Sequence, residues 1–459
     1  MGSVSVLALA LLSLASSSLG RVAEREVILG SGELGNPHQS FPITRKAWGK
    51  KAGGVRRHVG PHRAHPELRN DNLDTPGLIA KFGYPVETHT VTTADGYMID
   101  VHRIPYGVNE SDEGSRIPVF VQHGLLSSSA DWVVSGPEKG LGFILADAGY
   151  DVWIGNVRGN TYGRRHVKLS PKDEAFWDFS WDQMGELDLP AMLDKMLKKT
   201  GQDKFHYIGH SMGTIMFWVL SDMRPEYRDH FLSMHAMGPV ARVDHMISPI
   251  GLIAPFANQI QRILKWFGHY EFLPHNIWMT LMGKYFCLLS AVDERICENI
   301  IFLLCGYDSK QLNVWLLEML GRYEFMPSSD FMASLVCNEN WRLQIVCTSV
   351  LFLLCGFDEA QLNDHFDWGE EVNLQRYGQA VPPEYNLSKV NTPVFLYWGQ
   401  NDWLAVPQDV EWLSKQVPSL NGNFRVNFNA WNHLDFLWGI DAKKLVYDKI
   451  TDLMKQFES

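Results

Sequence analysis

The sequence predicts an α/β fold, a mainly parallel sheet with helices on both faces. Three observations carry that reading. Short apolar runs of strand type alternate with stretches of helical periodicity. A glycine-flanked turn, Gly209-His210-Ser211-Met212-Gly213, joins one such strand to one such helix. The 459 residues are 46% apolar and 20% charged, an ordinary globular composition that suits three domains or one large domain with insertions.

Residues 1–20 contain no charged side chain, and an apolar stretch runs from Val6 to Leu12. The small residues Ala15 to Ser18 lead to Ser18-Leu19-Gly20, the pattern of a cleaved signal peptide. The apolar part is too short to span a bilayer, and no later stretch reaches ~18 consecutive apolar residues. The mature protein is therefore expected to be secreted or lumenal, with no transmembrane segment. Residues 21–70 hold ten Lys or Arg and four acids with no periodic apolar face, as expected of a disordered basic pro-segment or tail. The whole chain carries −11; without the +6 of that segment, residues 71–459 carry −17. Such an acidic body argues against nucleic acid as a partner.

From residue 71 the elements follow one another in order. Thr88 to Thr93 alternates, Asp95-Gly96 forms a hairpin turn, and Tyr97 to Arg103 resumes as a strand. Ile117 to Gln122 reads as a buried strand running into His123-Gly124-Leu125-Leu126. Gly142 to Ala148 is helical and Gly149 to Ile154 returns as a strand; helical Asp188 to Thr200 precedes the strand Phe205 to Ile208. Val394 to Trp398 and Phe424 to Phe428 look like the last strands. The expected organisation is a first core part at 71–240, a helical cap at 241–370 and a second core part at 371–459.

The strand–turn–helix context makes Ser211 a nucleophile candidate. Its glycines permit a tight turn that lifts the hydroxyl above the sheet end, near the positive end of the following helix, with the Met212 N–H facing a developing oxyanion. A serine hydroxyl needs a base, and the base an orienting acid, in chain order Ser, acid, His. Asp402 lies in the loop after the penultimate strand and His433 in the loop after the last one. Asp409 and Asp435 follow a strand less directly. The His123-Gly124-Leu125 turn supplies the second oxyanion donor, the Leu125 N–H.

These residues, with several further blocks, resemble the acid lipases. The blocks include Gly83-Tyr84-Pro85, Asp95-Gly96-Tyr97, Gln122-His123-Gly124-Leu125-Leu126, Leu141 to Gly149, Gly155 to Asn160, Gly209-His210-Ser211, Asp402 to Ala405 and His433 to Phe436. The resemblance implies an α/β-hydrolase core with a helical cap and hydrolysis of triacylglycerols or sterol esters. It implies Ser211, Asp402 and His433 as the triad, and Leu125 and Met212 as oxyanion donors. The family usually has Gln at the position of Met212; because the donor is a backbone N–H, the hole is expected to survive the change.

All six cysteines fall in an internal duplication. Cys287, Cys297 and Cys305 are repeated fifty residues on as Cys337, Cys347 and Cys355, within copies spanning about 271–313 and 324–363. No C-x-x-C spacing exists, so no metal site is expected. The resemblance implies disulfides Cys287–Cys297 and Cys337–Cys347, leaving Cys305 and Cys355 free. It also implies that this segment, single in the family, is the lid, and that part of the cap is missing after the second copy. Two alternative exons joined in one chain would explain both oddities; a diverged lid is the alternative. Asn109 and Asn386 begin N-glycosylation sequons.

The expectation is thus a secreted or lysosomal carboxylic-ester hydrolase that needs no cofactor and meets its lipid ester at an oil–water interface. The alternatives are an esterase on short soluble esters, or a non-catalytic lipid-binding protein beneath a closed cap.

Overall fold

The computed structural model describes residues 73–248 (apart from 112, 113 and 126), 305, 311, 364–365 and 370–458. The expected signal-peptide and tail segments, most of the expected cap with nearly all of both duplicated copies, and Cys287, Cys297, Cys337, Cys347 and Cys355 lie outside the described residues.

Among those described, nine strands form one sheet: β1 (Glu87–Thr92), β2 (Tyr97–Ile104), β3 (Pro118–Gln122), β4 (Asp151–Ile154), β5 (Arg165–His166), β6 (Phe205–His210), β7 (Phe231–Met237), β8 (Val394–Trp398) and β9 (Leu420–Arg425). Their spatial order is β1-β2-β4-β3-β6-β7-β8-β9, with β5 beside β2. β2 pairs antiparallel with β1, β4 and β5; from β4 through β3, β6, β7 and β8 to β9 the pairings are parallel. Parallel strands require crossovers that cover the sheet faces, and the central strands are accordingly buried on both sides. All residues of β3, β4 and β6 are buried.

Alternation along β3 divides the core. Phe120 faces a layer that includes Leu189, Met192, Leu193 and Met196 of helix α3 (Leu189–Thr200) and Ile215 to Leu220 of helix α4 (Met212–Met223). Val119 and Val121 face the opposite layer, built from helices α1 (Thr75–Lys81), α2 (Leu141–Asp147), α7 (Asp435–Trp438) and α8 (Asp448–Met454). Helices α5 (Glu370–Tyr377) and α6 (Pro407–Gln416) flank β8 in the chain. The α/β class read from the sequence is the class observed.

Three strands differ from expectation, the first being the two-residue β5, which the sequence reading does not contain. β7, Phe-Leu-Ser-Met-His-Ala-Met, is a strand that the sequence pattern concealed: it sits between two parallel partners, so both its faces are buried and it does not alternate. β9 begins at Leu420 rather than at Phe424. It is an edge strand whose exposure alternates residue by residue, and its register is set by Val394 opposite Leu420. Val426 still donates to Trp398 O at 2.9 Å, but the chain then turns, with Phe428 N–H bonded to Val426 O.

Candidate active site

The loops after β3, β6, β8 and β9 all leave the carboxyl ends of parallel strands, where open α/β sheets build their sites. Ser211 occupies the one-residue joint between β6 and α4. It has φ +53° and ψ −119°, and among the described residues it is the only non-glycine with positive φ. Such a backbone persists only where its surroundings over-determine it. Here Ser211 N–H donates to Met237 O at 3.0 Å, and Thr214 N–H and Oγ1–H both donate to Ser211 O, at 2.8 and 2.7 Å. Close backbone approach adds to this, since a Cβ on Gly213 would stand 2.4 Å from Gln122 O.

Asp402 and His433 meet across their loops. His433 Nδ1–H donates to Asp402 Oδ2 at 2.8 Å, and both side chains are almost wholly buried. The other carboxylate oxygen accepts Leu404 N–H at 2.9 Å and Ala405 N–H at 2.8 Å, which fixes its plane. With the carboxylate on Nδ1, the imidazole presents Nε2 as its acceptor. That atom is buried and, among the described residues, forms no hydrogen bond. Catalytic hydrogen bonds often close only around substrate.

Two contacts bring this pair to Ser211. His210 Nε2–H donates to His433 O at 2.9 Å, so the residue before the serine holds the main chain of the histidine. Gly238, next to the Met237 carbonyl that anchors Ser211, packs so closely on His433 that a Cβ there would lie 3.1 Å from the ring. Burial pushes the His210 imidazole well below its usual titration range, and His433 beside it adds to the effect. Asp435 instead accepts Asn432 N–H, and Asp409 accepts from His245. Neither competes with Asp402 for His433.

The turn after β3 packs on the serine joint: a Cβ on Gly124 would come within 3.0 Å of Ser211 Cβ. Residues without an assigned role in the sequence hold this turn. His123 Nδ1–H donates to Gly124 O at 2.7 Å while Asn160 Nδ2 donates to His123 Nε2 at 3.2 Å. Burial keeps this histidine neutral, pushed down to about 4. Asn156 Oδ1 accepts both Asn160 Nδ2–H and Ser129 N–H at 2.9 Å. Below them Arg158, fully buried, bonds Asp188 and Asp95 and lies 4.2 Å over the Tyr97 ring. The signal was present as the block Gly155 to Asn160, whose polar residues lie too far from the serine in sequence to suggest their task. Met212 begins α4, so its N–H is among those with no intrahelical acceptor.

Asn109 and Asn386 are exposed. Cys305 is buried with a free thiol, and its carbonyl accepts from His433 N–H and Trp403 N–H at 3.5 and 3.4 Å. Among the described residues no helix is long and apolar enough to cross a membrane.

The chain matches two family models, a partial α/β-hydrolase lipase region over residues 75–136 and the α/β hydrolase fold over residues 117–270. It is 39% identical over 401 residues to lipase lipl-1 of Caenorhabditis elegans, covering 86% of this chain and 93% of that one. It is 36% identical to gastric triacylglycerol lipase of Bos taurus, covering 87% and 94%. Lysosomal acid lipase/cholesteryl ester hydrolase of Homo sapiens is also 36% identical, with 84% and 92% covered. With a serine joint, a buried His–Asp pair and relatives of this length and identity, the chain belongs to the acid lipases, an α/β-hydrolase family of carboxylic-ester hydrolases.

Proposed function

We propose that this protein hydrolyses the ester bonds of lipids, triacylglycerols or sterol esters, through an acyl-enzyme. Ser211 Oγ attacks the ester carbonyl carbon as its proton passes to His433 Nε2. Asp402 holds the imidazole in the tautomer that can accept that proton and stabilises the imidazolium. The Leu125 and Met212 N–H groups receive the oxyanion, each such donor being worth about 3–4 kcal/mol in comparable sites. As the carbon–oxygen bond to the alcohol breaks, His433 returns the proton to the leaving oxygen. Water then attacks the acyl-enzyme with His433 as base, releasing the fatty acid and restoring Ser211.

The observation that carries this reading is the 2.8 Å His433–Asp402 bond beside a serine held at φ +53°. The apolar sequence at residues 1–20 supports a secreted or lysosomal site of action. The test is hydrolysis of emulsified long-chain triacylglycerol and of cholesteryl ester by the purified chain, with Ser211→Ala as control. Turnover that disappears in the variant is expected; turnover that survives in a folded variant would overturn the assignment of Ser211.

A further inference from the structure

Asp131 lies in the 3-10 turn Ser129–Trp132, directly after the turn that follows β3, and is 1% exposed. Its Oδ2 is hydrogen-bonded to Ser127 Oγ, which also accepts Ser128 N–H at 2.6 Å. Its Oδ1 is buried and faces the Trp438 indole N–H without a well-formed hydrogen bond. Trp438 ends α7, the short helix that follows His433 and packs on this 3-10 turn. The titratable side chain facing the carboxyl is the Tyr447 phenol. Burial holds that phenol neutral, and it donates to Phe436 O at 2.5 Å. Among the described residues no cation is set against Asp131.

We propose that Asp131 is a positioning residue for the oxyanion-hole turn. One buried carboxyl, tied to Ser127 two residues beyond Leu125 and set against the helix after His433, keeps the Leu125 N–H in place while it carries its proton. The inference rests on the oxyanion role proposed for that turn. The physical reason is desolvation. A neutral carboxyl can share a hydrogen with Ser127 Oγ and leave its second oxygen facing an indole at modest cost. A carboxylate there has no counter-charge, so ionisation draws in water or moves the turn. Burial accordingly pushes this group up to about 7, against lesser downward effects from Ser127 and Trp438. Losing the proton therefore falls near neutral pH.

The experiment is steady-state hydrolysis of 4-nitrophenyl butyrate by the full chain between pH 5 and 9, read as kcat and KM separately. For the wild type, kcat at pH 8.5 is expected to be at most a tenth of kcat at pH 6, with KM little changed. Asp131→Asn, which cannot ionise, should bring that ratio close to one. Should the Asn variant fail to fold, Ser127→Ala serves: by cutting the link it should lower kcat and leave the remaining pH dependence flat above pH 6. A wild-type limb that persists unchanged in either folded variant overturns the proposal. Ser211→Ala in parallel separates the two ideas, because hydrolysis surviving in that variant would sink the triad whatever the shape of the limb.

Discussion

Around Ser211 the geometry is set by neighbours in sequence and by backbone packed on backbone. The serine carbonyl is bonded three residues on, and Gly213 admits the Gln122 carbonyl where a side chain would not fit. Asp402 and His433 are placed differently. Each sits on a loop that leaves a strand added to the sheet beyond β7, and although Asp402 is also held by N–H groups of its own loop, the bond that joins the two is made only when those loops meet. The serine joint is largely a property of a short motif, while the His433–Asp402 pair is a property of the assembled sheet. A motif can therefore be read from the sequence with its own geometry attached, whereas the pair can be read only by following chain order around the sheet.

The largest expected effect tests the assembled half. Asp402→Asn should reduce kcat by about 10⁴ while the unfolding midpoint in urea moves little, because the amide can accept the same backbone hydrogens but favours the wrong imidazole tautomer. A loss of stability comparable with the loss of rate would mean that Asp402 serves mainly the fold. Next comes the support beneath the β3 turn. Arg158→Met leaves Asp188 buried and unpaired and should cost about 3–5 kcal/mol in chemical denaturation; a cost under about 1 kcal/mol would show that the ion pair is dispensable there.

The local half is tested by Gly213→Ala, which forces a methyl against Gln122 O. Overpacking of this kind costs about 1–3 kcal/mol, and here the shift also displaces the serine. A variant of full activity would break the contrast, since the joint would then tolerate what its geometry forbids. The last test is acid stability, where the contrast between the two halves is weakest. His102 and His123 are pushed down to about 4 and His206 to about 3, in each case chiefly by burial. Their stabilising contribution is present above the unfolded value of about 6.5 and is lost as pH falls through the folded values. Asp131 runs the other way: its contribution is complete below about 4 and is lost as pH rises through about 7. With three histidines set against one carboxyl, stability should fall by a few kcal/mol between pH 7.5 and pH 4, most of it below pH 6, checked by urea midpoints at pH 4, 6 and 7.5. A midpoint that falls steadily from pH 4 to 7.5 would show that the histidines hydrate on protonation without unfolding.

Much of the parallel core was legible because its strands are short apolar runs bounded by turns, and the serine motif lay between a strand and a helix. β7 was not legible, since burial on both faces removes the alternation that marks a strand. The polar supports were not legible either. His123, Asn156, Asn160 and Arg158 act through partners brought in from other loops, and nothing local to them signals that task. Asp131 reads in sequence as one more acid near a turn, and only its burial without a counter-charge sets it apart.

The placement of β8 and β9 has a consequence for how the molecule comes into being. Asp402 and His433 follow Ser211 by about 190 and about 220 residues. During synthesis the serine turn can form beside β3 long before either residue has left the ribosome. Until β8 and β9 settle beside β7, that serine lacks its proposed base, and long-range parallel pairing is among the slower events of folding. On the proposed assignment, ester chemistry is thereby deferred to the end of biogenesis, so a nascent or prematurely terminated chain carries the proposed nucleophile without its base.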